Sequence, residues 1–255
     1  MKLVTFNVNG IRAINRKQGL SNLIQRHSPD IICLQEIKCS DEHIEPCLCE
    51  PFKDDYPYIV HSCHSKKGYA GVAILSKIPF DNDFLIPFLH PIFDGRVNIV
   101  RLINGVVLLN VYVMNSQGRN TPRWEERIGM WDVLFQQLIG VLPNPLIVCG
   151  DLNVTSRDCD FHPATFSPNA PAVNKEERNG FVRLLESSNL TDVIPEESPN
   201  YTWFSNFAKC RERNIGMRID YVLVSPDLRE GSTTNVLYDI HGSDHVPVMF
   251  TRAQV

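Results

Sequence analysis

The feature of this sequence that most constrains its fold is a series of short, branched apolar runs separated by segments with helical spacing. Each run has four to eight residues and is rich in Val, Ile and Leu, as strands buried inside a sheet are. No run approaches the ~20 apolar residues that a membrane-spanning helix needs. The predicted strands are residues 3–8, 31–34, 71–75, 98–102, 106–113, 146–149, 219–224 and 246–250.

Three segments between these runs are predicted to be helices. The clearest begins with Thr121 as N-cap and Pro122 as the first helical residue. A second helix should follow Asn174, where Glu177 completes a capping-box pattern, and a third should run near residues 20–27. The apolar stripe predicted for the first helix consists of Trp124, Ile128, Trp131, Phe135 and Leu138.

Length and composition predict one domain. A chain of 255 residues that is 43% hydrophobic can bury a single large core, so we expect residues 1–255 to form one domain. Strands mixed with helices favour a four-layer α/β sandwich, in which two packed mixed β-sheets are flanked by helices. Residues 1–8 have the pattern of a strand and not of a targeting signal. We therefore expect an intracellular protein, cytoplasmic in a prokaryote, with the nucleus and the mitochondrion as alternatives.

The eight cysteines favour reduced thiols over a disulfide framework, since none of them forms the Cys-x-x-Cys pair of a zinc or redox site. Cys47 and Cys49 are close in sequence. We interpret them as incidental thiols of a loop, with a redox pair as the alternative.

The formal net charge of −4 argues against a nucleic-acid partner, because phosphate binding depends on Lys and Arg. A site rich in metal-binding carboxylates would lower the net charge by itself, however, and local basic clusters can still bind phosphates. The charge therefore leaves nucleic acid open as a substrate.

Polar side chains occur again and again where the predicted strands end. One such residue is ordinary, because loops at strand ends are polar. Strands of one sheet can bring several of them to a single rim, and clustered carboxylate and amide oxygens suit Mg²⁺, which can activate water and neutralise a phosphodiester. The residues are Asn7, Glu36, Asn115, Asp151, Asn153, Asp220, Asp244 and His245.

Two local patterns strengthen this prediction. Asp151 and Asn153 follow a buried strand at a spacing of two, which in an extended chain places both side chains on one side. His245 lies beside Asp244, and Asp220 is a second acid that could hold the imidazole in one tautomer. Together they predict a hydrolytic metal site.

Six short motifs give the chain a family resemblance. Each is weak alone, but their order and spacing are specific, and in this order they resemble the exonuclease III family of AP (apurinic/apyrimidinic) endonucleases over essentially the whole chain. The motifs are NVNGIRA at 7–13, LQEIK at 34–38, GYAGVA at 68–73, GDLN at 150–153, RNIGMRIDY at 213–221 and GSDH at 242–245.

The resemblance implies the DNase I-like endonuclease/exonuclease/phosphatase fold and a Mg²⁺ ion, for which Mn²⁺ can substitute. Glu36 would be the main metal ligand, with Asn7 and Asp244 contributing directly or through water. Asp151 and Asn153 would complete the metal-binding group. Whether one or two metals are used stays open.

The resemblance also implies catalytic roles. Asp151 and Asn153 would bind and polarise the attacking water and the scissile phosphate. Tyr112 and Asn115 would contact that phosphate, and His245, oriented by Asp220, would stabilise the developing charge. Asp151 is the expected general base, with His245 as the alternative.

Substrate binding is implied in the same way. Trp203, Met217 and Ile219 match the apolar recess that accepts a baseless deoxyribose flipped out of the duplex. Met217 departs from the family pattern, because many members have Trp at that position. Arg213 and Arg218 would contact phosphates.

The implied activity is hydrolysis of the phosphodiester 5′ to an abasic site, in base excision repair, with some 3′–5′ exonuclease or 3′-phosphodiesterase action. The expected partner is double-stranded DNA with abasic sites or blocked 3′ ends, bound by a monomer. One alternative is an enzyme that mainly processes 3′ ends, a balance that the loop at 158–174 would set. Others are a different phosphoesterase of this fold, such as a nonspecific nuclease, an inositol polyphosphate phosphatase or a sphingomyelinase, and a catalytically inactive binding module.

Overall fold

The computed structural model describes residues 1–84, 90–119, 121–194 and 200–253. The strands are β1 (Lys2–Asn7), β2 (Ile31–Gln35), β3 (Tyr58–Ser62), β4 (Val72–Ser76), β5 (Val97–Arg101), β6 (Val107–Tyr112), β7 (Leu146–Asp151), β8 (Thr191–Asp192), β9 (Trp203–Phe204), β10 (Gly216–Met217), β11 (Asp220–Val224), β12 (Ser232–Val236) and β13 (Val248–Arg252). The α-helices are α1 (Ile11–Arg16), α2 (Gly19–His27), α3 (Asp41–Ile44), α4 (Glu50–Phe52), α5 (Pro122–Val133) and α6 (Lys175–Ser188). Glu45–Cys49 and Leu134–Ile139 are π-helical turns.

Two large sheets form the centre of the molecule. One has six strands in the order β12-β13-β1-β2-β4-β3, and the other has five in the order β5-β6-β7-β11-β8. Both are mixed, because β1 pairs with β2 and β6 with β7 in parallel while the other pairs of these two sheets are antiparallel. Strands β9 and β10 form a separate two-stranded ribbon.

Three apolar clusters define four layers. One lies between the two sheets and includes Leu3, Leu108 and Phe250. The other two pack the outer face of each sheet against helices, with Leu23 on one side and Phe181 on the other. Each such side chain, removed from water, contributes about 1.5–3 kcal/mol. The four-layer α/β sandwich predicted from the sequence is confirmed.

A buried amide pair links the two sheets beneath the rim where Glu36 lies. The Gln35 side-chain amide donates to Asn110 Oδ1 at 2.7 Å, and Asn110 Nδ2 donates to the carbonyl oxygens of Leu34 and Ala73 at 3.1 and 3.0 Å. Buried amides are tolerated when they are paired in this way. The pair holds β2 and β6 at a set distance.

All eight predicted strands are present, with ends shifted by one or two residues. Five further strands among the described residues were missed, namely β3, β8, β9, β10 and β12. Three of them have only two residues. The other two are sheet edges, and β12 reads STTNV, which lacks an apolar run. Edge strands need less apolar surface, so their pattern is weak.

The helix starts at Thr121 and Asn174 are confirmed, since α5 begins at Pro122 and α6 begins at Lys175 with the Asn174 side chain accepting from the Glu177 N–H. The predicted stripe of α5 is partly wrong. Trp131 and Leu138 are buried, but Trp124 and Ile128 are only half-buried. The buried face instead includes Arg127, Met130 and Leu134, while the Phe135 side chain lies outside the described residues.

None of the helices in the described part of the chain combines the length and the apolar character that a bilayer span requires.

Candidate active site

The predicted polar residues meet at one rim of the sandwich. Parallel strands β1 and β2 end there, as do β6 and β7, whereas β11 and β13 are antiparallel to their neighbours and begin there. Asp220 is therefore the first residue of β11, and Asp244 and His245 precede β13, so the expectation that strands end in these residues is wrong in detail. Asn7 Nδ2 donates to Asp151 Oδ2 at 2.9 Å, which joins the two sheets at this rim.

Asp151 and Asn153 do share one site, but not through an extended chain. Asn153 has φ 48°, so the backbone turns after β7. The turn lets the Asn153 backbone N–H donate to Asp151 Oδ1 at 2.9 Å and its Nδ2 donate to Asp151 Oδ2 at 3.2 Å. Asn115 Nδ2 in turn donates to Asn153 Oδ1 at 3.0 Å. Asp151 and Asn153 therefore lie side by side as predicted, but a turn, and not the alternation of side chains along a strand, brings them together.

Gly150 makes this position of Asp151 possible. Its φ is +141°, and a Cβ atom there would lie 1.8 Å from the Val111 carbonyl oxygen on the adjacent strand. We expect Gly150→Ala to destabilise the fold by roughly 2–4 kcal/mol through overpacking and backbone strain.

Chemical denaturation of Gly150→Ala beside Gly105→Ala measures this effect, because Gly105 also has positive φ but has no atom within 4 Å of the added Cβ. Equal losses of stability in the two variants would show that the contact with Val111 is not limiting.

Burial raises the pKa of Asp151 to about 8, and the charge of Asp220 adds to this, while His245 opposes it. Asp151 therefore has the affinity for a proton that a general base near neutral pH requires. A cation at the rim would favour the ionised carboxylate and lower this pKa.

His245 and Asp220 form a buried pair, with Nδ1 and Oδ2 separated by 2.9 Å. Burial alone would lower the pKa of His245, but the charge and hydrogen bond of Asp220, with Asp151 and Asp244, raise it to about 10. His245 Nε2 lies 3.8 Å from Asp151 Oδ2. The imidazole is thus held as a cation that faces the rim.

Glu36 supplies an ionised carboxylate. Burial would raise its pKa, but Lys38 and Asn7 outweigh burial and lower it. Lys38 Nζ lies 2.6 Å from Glu36 Oε2, and Asn7 Nδ2 donates to Glu36 Oε1 at 3.0 Å. Ligand atoms of Glu36, Asp151 and His245 all lie within 4.8 Å of one another, so this rim could hold a divalent metal ion.

Asn7 turns its amide nitrogen toward two candidate metal ligands, because Nδ2 donates to the carboxylates of Glu36 and Asp151. Its Oδ1 accepts from the Asn9 backbone N–H at 3.0 Å and keeps a second lone pair. Asn7 therefore positions Glu36 and Asp151, and its own contribution to metal binding, directly or through water, stays a prediction.

Asp244 is held by neighbours from other segments of the rim. Trp203 Nε1 donates to Asp244 Oδ2 at 3.2 Å and Asn9 Nδ2 donates to Oδ1 at 2.9 Å. Burial would raise its pKa, but His245 and these hydrogen bonds lower it. Ser243 Oγ also donates to Oδ1 at 3.3 Å, so Oδ2 is the oxygen that fits a metal contact through water.

A cleft of about 260 Å³ opens at the rim. Its walls include every predicted pocket residue, Trp203, Met217 and Ile219, and also Tyr112 and Asn115. Residues missed by the sequence analysis also line it, namely Thr165, Ala170, Pro171 and Ala172. They belong to the loop at 158–174, whose lack of apolar periodicity left its position unpredictable.

The predicted phosphate contact of Arg218 is wrong. Arg218 is fully buried, and its Nε and Nη2 donate to the Asp160 carboxylate, both at 2.8 Å, while Nη1 donates to Asp192 at 2.7 Å. With its charge committed to two carboxylates, it braces the segment before β11. Arg213 is exposed on the turn between β9 and β10, where a surface contact is open to it.

Arg127 is a positioning residue that the sequence analysis missed. It is fully buried on α5, and its Nη2 donates to the carbonyl oxygens of Leu152 and Asn153 at 3.0 and 3.2 Å. The guanidinium also stacks 4.3 Å from the Trp131 ring centroid. It braces the turn after Asp151. Arg127 follows Glu125 and Glu126, so in the sequence it has the character of an exposed polar residue, and nothing there indicates its buried position.

Local basic residues do gather beside the cleft, as the charge argument required. Lys66, Arg96 and Arg123 lie 5.3, 5.3 and 5.6 Å from the centroid of the Tyr69 ring. Arg96 also lies 5.1 Å from the ring of Tyr112, which lines the cleft. A negative net charge is therefore compatible with a cationic surface at this edge.

A two-sheet sandwich with acids, amides and an Asp–His pair at one rim defines a phosphoesterase site that could use a divalent metal. A model of the Endonuclease/Exonuclease/phosphatase family matches residues 4–245, and the chain belongs to that family. Its exonuclease III-type character, predicted from the motifs, is confirmed by the relatives below.

Two curated relatives cover nearly the whole chain. An exodeoxyribonuclease of Bacillus subtilis (strain 168) is 35% identical over 254 residues, which cover 97% of this chain and 98% of the relative. The DNA repair nuclease APEX1 of Danio rerio is 32% identical over 255 residues, which cover 97% of this chain and 81% of the relative. Among solved structures, the 3′-5′ exonuclease NExo from Neisseria meningitidis has a TM-score of 0.86 and 26% identity, with 100% of both chains covered.

Proposed function

We propose that this protein is a Mg²⁺-dependent DNA repair nuclease that hydrolyses the phosphodiester 5′ to an abasic site. The observation that carries the proposal is the position of Asp151, beside the His245–Asp220 pair and in the wall of the cleft that Trp203 and Met217 also line. The names of the curated relatives, an exodeoxyribonuclease and a DNA repair nuclease, support DNA as the substrate. We also propose that residues 1–255 act as one catalytic domain and as a monomer.

The metal-binding residues proposed here are Glu36 and Asp151, with Asp244 and Asn153 acting through water. Their oxygen atoms match the preference of Mg²⁺, for which Mn²⁺ can substitute. When bound, the ion would neutralise phosphoryl oxygens and lower the pKa of water. Asn7 would keep the Glu36 and Asp151 carboxylates in place.

Asp151 is proposed as the general base. Water attacks the phosphorus, its proton passes to the Asp151 carboxylate, and the bond from phosphorus to the 3′ oxygen of the upstream nucleotide breaks. Two hydrogen bonds from Asn153 hold the carboxylate in one orientation. Asp220 raises the pKa of His245 and so favours the imidazolium, which is suited to stabilise the phosphoryl charge.

Tyr112 and Asn115 are proposed to donate hydrogen bonds to the phosphate. Burial and the nearby Glu36 and Asp151 carboxylates raise the pKa of Tyr112 well above its ordinary value, so its hydroxyl keeps its proton. Arg213, exposed on the turn between β9 and β10, is proposed to contact a flanking phosphate.

The cleft suits a baseless sugar. Its volume of about 260 Å³ lies below the ~300 Å³ at which pockets begin to hold drug-sized ligands. A deoxyribose without its base fits that scale, and flipping it costs least because no base has to unstack.

Met217→Trp should sharpen discrimination for abasic over intact DNA. Met217 lines the cleft opposite Trp203 on the β9–β10 ribbon, and a rigid indole fills space more fully than a flexible thioether. The ratio of kcat/KM values for abasic and intact duplexes should rise by roughly tenfold, about the effect of 1.4 kcal/mol. An unchanged ratio would mean that Met217 does not shape the recess.

The test of the proposed function compares two labelled duplexes in Mg²⁺, one with an internal abasic analogue and one undamaged with a recessed 3′ end. Incision 5′ to the analogue, lost in Asp151→Asn and in excess chelator, is expected. Full activity in chelator would remove the metal from the mechanism. Cleavage of neither duplex would point to another phosphoester substrate.

A second candidate is an enzyme that mainly degrades or cleans 3′ ends. It is favoured by the names of the Bacillus subtilis and Neisseria meningitidis proteins, both exonucleases. Digestion of the recessed duplex without incision at the analogue would select it.

A further inference from the structure

Three side chains of different metal-binding type converge at the edge of the six-stranded sheet, apart from the cleft. Asp41, His61 and Cys63 each place a ligand atom within 4.8 Å of those of the other two. His61 lies on the edge strand β3 and Cys63 directly after it, and their spacing of two puts both on one face. Asp41 is the first residue of α3.

The surroundings of this cluster are suited to a ligand from solvent. His61 and Cys63 are half-buried and Asp41 is exposed, so one side is open. The Nδ1 atom of His61 is buried and has no hydrogen-bond partner among the described residues. Cys63 is a free thiol, and no residue of the described cleft wall is a cysteine.

We propose that Asp41, His61 and Cys63 bind one Zn²⁺ ion. A carboxylate, an imidazole and a thiolate form the borderline-soft ligand set that Zn²⁺ prefers, whereas Mg²⁺ prefers oxygen alone. Three protein ligands leave the fourth tetrahedral position to water, on the exposed side near Asp41. The site differs in chemistry and in place from the oxygen-rich rim of the cleft.

Binding at this cluster has a thermodynamic requirement. Burial and Asp41 raise the pKa of the Cys63 thiol to about 12, so the metal-free thiol holds its proton and the ion must displace it. A bound cation would offset the repulsion that a Cys63 thiolate meets from the Asp41 carboxylate.

The ion would cross-link two segments of the fold. Among the described strands, β3 pairs with β4 alone and forms the edge of its sheet. Asp41 belongs to the segment that leads from Glu36 into α3. A shared ion would join this segment to the edge strand. An ion that binds only the folded state stabilises that state.

The test adds Co²⁺, then Zn²⁺, to metal-free full-length protein kept reduced. We expect thiolate-to-cobalt charge-transfer absorption that saturates at one equivalent and is displaced by Zn²⁺. Asp41→Asn, His61→Gln and Cys63→Ser should each weaken Co²⁺ binding at least tenfold. Cys210→Ser and His43→Gln serve as matched controls and should keep it.

Thermal unfolding provides a second measurement. Zn²⁺ should raise the Tm of the wild type and of Cys210→Ser by more than that of Cys63→Ser, because the Glu36–Asp151–His245 rim could bind the ion equally in all three proteins. Asp41→Asn changes an exposed side chain, so the fold should survive and the test stays valid if the other variants misfold. No charge-transfer band in the wild type, or a band that persists in Cys63→Ser, would overturn the proposal.

Discussion

Replacing Asp151 with asparagine should lower turnover by about 10²–10⁴-fold, the usual contribution of a positioned acid or base. The substitution keeps the size of the side chain, so DNA binding should persist, but its amide nitrogen must face a donor, either the Asn153 backbone N–H or Asn7 Nδ2. Chemical denaturation therefore accompanies the kinetics and checks that the variant is folded. What is lost is a buried carboxylate in the cleft wall whose pKa, about 8, allows it to take a proton from water.

The measurement is single-turnover cleavage of the abasic duplex across a pH series, with and without the substitution. In the wild type the rate should rise with pH as Asp151 ionises and then level off, with bound metal shifting the rise below pH 8. The residual activity of Asp151→Asn should lack this rise.

Asp227→Asn is the matched control, because Asp227 is exposed and lies beside Met1 and Arg252, where β1 begins and β13 ends. It makes the same change of charge far from the rim and should leave turnover unchanged. If Asp151→Asn retained near-normal turnover, Asp151 would have no place in catalysis.

The rim was predictable because its residues follow or precede buried strands. Apolar runs identify Leu146–Asp151 and Asp220–Val224 as strands, and in each strand an acidic residue stands at the end that reaches the rim. The Asp220–His245 contact could be predicted for this reason. Strand direction could not, because parallel and antiparallel pairing depend on contacts between distant segments.

Charged groups in the core could not be predicted. Arg127, Arg218 and Asp160 are buried, yet in a sequence each has the character of a solvated surface charge. Their burial depends on partners more than 20 residues away, such as Asp160 for Arg218. Asn110 is similar, because its place within a predicted apolar strand is tolerated only through its contact with Gln35. Pairings of this kind are tertiary, and local patterns do not contain them.

Replacing Asp220 with asparagine should also reduce turnover by about 10²–10⁴-fold, through His245 rather than through any contact with substrate. Asp220 Oδ2 faces His245 Nδ1 at 2.9 Å, and Asp220 Oδ1 is buried without a hydrogen-bond partner among the described residues. Asparagine must turn its amide nitrogen either toward the imidazole or into that position, and both arrangements leave a buried group unsatisfied.

The distinguishing readout is the imidazole resonance of His245, followed by NMR in metal-free protein. In the wild type its pKa is raised from 6.5 to about 10, so protonation stabilises the fold fully below pH 6.5 and this contribution is lost as pH rises through about 10. In Asp220→Asn burial should dominate and lower the pKa of His245, so that the imidazole is neutral at pH 8 and cannot stabilise phosphoryl charge.

Asp239→Asn is the control, because Asp239 contacts His27 at 3.2 Å on the surface. This variant should leave both the His245 pKa and turnover unchanged. A His245 pKa that stayed near 10 in Asp220→Asn would assign the stabilisation of the imidazolium to Asp151 and Asp244 instead.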